Sequence, residues 1–111
     1  LDRAMAFYAA LTGKALTREK FGAPGEEMAI FATDSQDAVS GALVISPHAK
    51  PAAQGTMVYL NAGPSIDAWI ARVAKAGGKV VTPNTEIPGG MGFFAQFADT
   101  EGNHVGLHAM A

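Results

Sequence analysis

The feature that most constrains the fold is an internal repeat without a gap. Displacing the chain by 65 residues sets Asp2 on Asp67, Gly13-Lys14 on Gly78-Lys79, Thr17 on Thr82, Gly25 on Gly90, Asp34 on Asp99 and Gly41 on Gly106. These residue types fix caps and turns, so the shared spacing implies a shared chain path and not merely a shared composition. The alanine coincidences, Ala6 with Ala71 and Ala9 with Ala74, carry no such weight. A chain of 111 residues has room for one core, so the repeat predicts a single domain over 1–111. Its two modules fall at about 1–46 and 56–111, joined by a linker at 47–55 that opens with Pro47-His48-Ala49-Lys50-Pro51.

Local patterns supply the elements. Leu1, Ala4, Met5, Tyr8 and Leu11 recur at helical spacing and Gly13 follows as a stop, predicting a helix over 1–12. Ile66, Trp69, Ile70 and Val73 form a second stripe, with Ser65 as N-cap and Gly77-Gly78 as terminator, predicting a helix over 66–76. Strands are expected at 28–33, 42–46, 56–61, 79–82, 93–98 and 104–108, separated by turn-forming stretches such as 22–25, 33–35, 88–90 and 99–103. The strand at 56–61, moved back by the repeat length, falls upstream of Leu1. The expectation is therefore an α+β fold of two strand-helix-three-strand (βαβββ) modules, the first strand of module one being missing from the chain.

Composition removes several functional classes. The eight Lys and Arg are scattered, giving no basic stripe for phosphates, so no nucleic-acid partner is expected. No apolar run approaches the roughly 20 residues of a membrane helix, so no membrane partner is expected either. Without cysteine there is neither a thiolate nucleophile nor a sulfur metal site, and the cytoplasm is the default compartment. No nucleophile elbow, phosphate-cradling loop or dinucleotide fingerprint occurs.

Three stretches carry a family resemblance: Arg3-Ala4-Met5-Ala6-Phe7-Tyr8 through Gly13, Ala76-Gly77-Gly78-Lys79-Val80-Val81, and Phe94 through Asp99-Thr100-Glu101-Gly102-Asn103-His104-Val105-Gly106-Leu107. Together they resemble the vicinal oxygen chelate superfamily, which includes glyoxalase I, bleomycin-resistance proteins and extradiol dioxygenases. The resemblance implies paired modules whose curled strands form a cup, commonly in a homodimer. In metal-dependent members it implies His or Glu ligands from the first and last strand of each module. Carried over, those positions are Gly106, Gly41 and a place at or beside Met57, with the fourth upstream of Leu1. Glycine offers no ligand atom and a thioether suits these ions poorly, so the expectation is no metal and no cofactor.

Alternation assigns the rest. In Met57-Val58-Tyr59-Leu60-Asn61, Val58 and Leu60 should pack on the helices while Met57, Tyr59 and Asn61 face the cup. Phe94 and Gln96 should also face inward, opposite Phe93, Ala95 and Phe97. His104 and His108 share the face of Gly106 but lie about 13 Å apart along a strand, too far to hold one ion by themselves. His104 reads as a turn residue, whereas His108 is a weak catalytic candidate. Asn84 and Glu86 could reach over the cup mouth or form a solvated hairpin edge, Glu26-Glu27 reads as surface, and Asp99 and Asn103 read as turn-shaping. The set Met57, Tyr59, Asn61, Phe94, Gln96 and His108 suits a ligand with an apolar or aromatic part and a few polar groups. The leading expectation is metal-independent binding of a small organic molecule. The alternatives are a lactoylglutathione lyase-like (glyoxalase I-like) enzyme, or a related metal-dependent lyase or dioxygenase, and a non-catalytic interaction or sensor module.

Overall fold

The computed structural model describes residues 1–20, 24–34 and 40–111, so parts of the turns expected at 22–25 and 33–35 lie outside the described residues. The fold is mixed α+β, with two helices and two sheets. The chain divides into two compact units, Leu1–Lys50 and Pro51–Ala111.

The first unit holds α1 (Asp2–Thr12) and the antiparallel strands β1 (Thr17–Lys20), β2 (Glu27–Ile30) and β3 (Ala42–Ile45), in that spatial order. Ala4, Phe7, Tyr8 and Leu11 are buried, the spacing of one helical face. Tyr8 ties the helix to the sheet side through an edge-to-face contact with Phe31 at 5.6 Å. Four acids of this unit are engaged: Ser46 Oγ donates to Glu26 Oε2 at 3.3 Å, Arg18 approaches Glu27 at 3.9 Å and also pairs with Asp2, and Lys14 pairs with Asp34. Glu26 and Glu27 are half-buried, not surface residues as their sequence suggested. The hydrogen bond and positive charge from Lys14 lower the pKa of Asp34.

Gly13 stops α1 at φ 79°, its N–H donating to Ala9 O. An alanine there has open space for its Cβ but must hold a left-handed backbone. We expect Gly13→Ala to cost about 1 kcal/mol, read as a lower urea midpoint at unchanged slope. A null effect would mean that the cap is not held in this conformation.

The second unit holds β4 (Tyr59–Asn61), α2 (Ile66–Lys75), β5 (Lys79–Glu86), β6 (Phe93–Ala98) and β7 (His104–Ala109), in the order β4-β7-β6-β5. β4 runs parallel to β7 and the other pairs are antiparallel. Ile66 and Val73 of α2, Ala95 and Phe97 of β6, and Leu107 and Ala109 of β7 form the core, each at most 2% exposed. Ser65 occupies the N-cap position but its hydroxyl makes no cap bond, and Ile66 N–H donates to Ala111 O at 3.0 Å.

Four expectations need correction. β4 is shorter than 56–61: its register sets Thr56 level with Asn103, in the turn before β7, and the paired ladder begins only at Tyr59 with Gly106. Val58 is 61% exposed, since α2 packs chiefly on β5, β6 and β7 and not on the marginal β4. β5 runs on through Pro83 to Glu86, because it is an edge strand whose register shifts between Thr82 and Thr85 absorb the missing donor. β1 was absent from the strand pattern, its Thr-Arg-Glu-Lys sequence being exposed along its whole length.

Candidate functional site

Sheet register explains how the candidates meet. Tyr59 pairs with Gly106, Gly106 with Gln96, and Gln96 with Thr82, making one row across all four strands of the second unit. The next row contains Asn61, His108 and Phe94. Adjacent strands lie about 4.8 Å apart, so β4 and β6, on either side of β7, are separated by roughly twice that. A side chain at position 106 would stand between them.

Because residue 106 is glycine, the Tyr59 ring lies over it. A Cβ built on Gly106 would fall 2.3 Å from two ring carbons of Tyr59 and 2.7 Å from Cγ. The phenol thereby reaches Gln96, whose Nε2–H donates to the Tyr59 hydroxyl oxygen at 2.6 Å. Thr82 Oγ1–H in turn donates to Gln96 Oε1 at 2.8 Å. The chain Thr82–Gln96–Tyr59 thus bridges the glycine and fixes the ring.

Beside it is an open cavity of about 410 Å³ lined by Tyr59, Ile87, Phe94 and His108. His108 Nε2 lies 2.8 Å from Met91 O. A carbonyl oxygen only accepts, so Nε2 carries hydrogen, and a neutral ring keeps its lone pair on Nδ1. Ile87 N–H donates to Gly92 O at 2.8 Å, closing the hairpin that carries Ile87 to the cavity and Met91 O to His108.

The structure therefore brings Tyr59, Phe94 and His108 to one cavity and joins Gln96 to it through Tyr59. Met57 precedes β4. Asn61 Oδ1 accepts from Gly63 N–H at 2.9 Å, committing that oxygen to the turn before α2. His104 begins β7, opposite Ala98, and Asn84 Nδ2–H donates to Asp67 Oδ1 at 3.0 Å. Ile87 was not anticipated; a lone branched residue between Glu86 and the Pro-Gly-Gly turn was its only signal.

Residues of this cavity do not fit a tightly held divalent ion. Position 106 has no room for a carboxylate while Tyr59 covers it, and the remaining donors are one phenol, one amide and one imidazole. Among the described residues, no three His, Asp or Glu side chains gather as a metal site.

Asp99 is buried at 7% exposure and organises the turn before β7. Its Oδ1 accepts from Glu101 N–H and Asn103 N–H, each at 2.9 Å, and its Oδ2 from Asn103 Nδ2–H at 3.1 Å. Asn103 Oδ1 accepts from Ala52 N–H at 3.0 Å. Both side chains are spent on backbone and on each other.

Residues 1–107 match the Glyoxalase/Bleomycin resistance protein/Dioxygenase superfamily. No curated protein matches. Among solved structures, a glyoxalase/bleomycin resistance protein from Streptomyces sp. CB03234 is 27% identical, covering 96% of this chain and 89% of its own, with a TM-score of 0.65. TnmS3, an antibiotic binding protein from the same organism, is 25% identical over 97% of this chain and 84% of its own, with a TM-score of 0.66. Glyoxalase I from Zea mays shares the fold at 19% identity and a TM-score of 0.66; the match covers 98% of this chain and 42% of that one. No helix among the described residues is long and apolar enough to cross a membrane. With a family match over nearly its whole length, the chain belongs to the glyoxalase/bleomycin resistance protein/dioxygenase superfamily.

Proposed function

We propose that the protein binds a small, largely apolar organic molecule without a metal, in the cavity formed by Tyr59, Ile87, Phe94 and His108. The observation that carries this reading is the Tyr59 ring lying over Gly106: it fills the space a metal-binding carboxylate needs and builds an aromatic wall instead. The likeness to an antibiotic binding protein is consistent with it. A homodimer in the cytoplasm, with both units in one domain joined at 47–55, belongs to the same proposal. Phe94 supplies most of the apolar contact and Tyr59 and His108 the polar ones.

A melting screen of neutral aromatic compounds tests it. A ligand present at 100 times its Kd adds about 2.7 kcal/mol and raises Tm by several degrees. Phe94→Ala should abolish that rise. Uniformly flat melts would count for a closed interaction module. Stoichiometric metal in protein purified without chelator, or turnover of the methylglyoxal–glutathione adduct with added nickel or zinc, would establish the glyoxalase I-like alternative and overturn the proposal.

A further inference from the structure

We infer that the Thr82–Gln96–Tyr59 chain makes Tyr59 a one-way hydrogen-bond donor, so that the cavity selects uncharged aromatic molecules bearing a carbonyl oxygen. The inference rests on the binding reading above and specifies its ligand class.

Donors and acceptors run in one direction along the row. Thr82 donates to Gln96 Oε1, and Gln96 Nε2–H donates to the Tyr59 oxygen. That oxygen has accepted, and the hydroxyl hydrogen has no acceptor among the described residues. The side of Tyr59 facing the cavity is open, the residue being 45% exposed. A donor held in place by two further hydrogen bonds has little rotational freedom left to lose on binding, which favours a ligand acceptor over water. Among the described residues no lysine or arginine lines the cavity, so a carboxylate ligand finds no fixed positive charge there. The walls of Phe94, Ile87 and the Tyr59 ring favour a flat hydrocarbon frame.

The direction of the chain depends on which way the Gln96 amide is turned, and substitution can reverse it. In Gln96→Glu both side-chain oxygens only accept, so the Tyr59 hydrogen is drawn to the carboxylate and lost to the ligand. In Tyr59→Phe the ring still covers Gly106 but the donor is gone.

Fluorenone and fluorene are suitable probes, since they share a tricyclic frame and no charge and differ in a carbonyl against a methylene. Affinities are measured by NMR titration, following the Tyr59 and His108 rings or, in Tyr59→Phe, His108 and the substituted ring. The wild-type protein should bind fluorenone about tenfold more tightly than fluorene. Tyr59→Phe and Gln96→Glu should each bring that ratio to about one, and because both probes are neutral any general weakening in a variant cancels. A wild-type ratio near one would overturn the inference while leaving the binding reading intact, and would mean that the amide is turned the other way. A ratio that survives Gln96→Glu would overturn it as well. Failure of both probes to bind the wild type would overturn this inference, and the binding reading would fall with it only if the melting screen were uniformly flat as well.

Discussion

Gly106→Glu, which puts a carboxylate where the superfamily's metal-dependent members carry a ligand, is expected to lower stability and abolish small-molecule binding while conferring no metal affinity. The cause lies in Cγ of Tyr59, 2.7 Å from the added Cβ. Because Cγ is the root of the ring, rotating the ring about the Cβ–Cγ bond leaves Cγ in place and relieves nothing there, so the side chain must change its first torsion. It then loses the bond to Gln96 and its place in the cavity wall. At 45% exposure Tyr59 has solvent to swing into, so the stability loss should be about 1–3 kcal/mol. The binding loss should exceed it in consequence, since the wall and the donor leave together.

A pair of smaller substitutions isolates the contact. Gly106 does not have a positive φ, so alanine fits its backbone, and alanine in a strand is favoured over glycine by roughly 0.5–1 kcal/mol. Gly106→Ala should therefore destabilise the wild type and be neutral or stabilising in a Tyr59→Ala background. This is a coupling of at least about 1 kcal/mol, readable from four denaturation curves. Equal losses in both backgrounds would show that the glycine is needed for some reason other than the ring.

Much of the architecture was legible because it is written at positions that can do only one thing. Gly13, Gly25, Gly90, Asp34 and Asp99 mark turns, and their common spacing brought out the repeat before any strand was assigned. β1 shows the complement: with Thr17, Arg18, Glu19 and Lys20 all exposed, no alternation exists to read, and only its counterpart at Thr82 pointed to it. Of the site, the side-chain faces of β6 and β7 were legible from period-two alternation. The Tyr59–Gln96 bond was not, because it joins strands that are not neighbours, across a third strand and through the absence of a side chain. In the sequence Gly106 and Gly41 look alike, each a glycine where the resemblance implies a ligand. The structure separates them, since a Cβ at Gly41 meets only Phe31 at 3.7 Å, an ordinary contact, whereas Gly106 is required by the ring above it.

Asp99→Ala is expected to cost about 2–4 kcal/mol, the larger of the two stability effects, and to leave ligand preference untouched. Removing the carboxylate strips partners from the Glu101 and Asn103 N–H groups and from the Asn103 amide, all in a half-buried turn. Asn103, once released, also loosens its hold on Ala52, so the damage reaches the other end of the unit. Asp99→Asn should lose less, about 1–2 kcal/mol: it keeps an oxygen for the two backbone donors and sets an amide donor only against the Asn103 amide. In the folded fraction of either variant the fluorenone-to-fluorene ratio should equal that of the wild type, because the row from Thr82 to Tyr59 makes no use of the turn. The acidic turn would then be a folding device, and ligand chemistry would be set by the row Thr82, Gln96 and Tyr59. A variant with wild-type stability and an altered ratio would reverse that division and place Asp99 in the binding site.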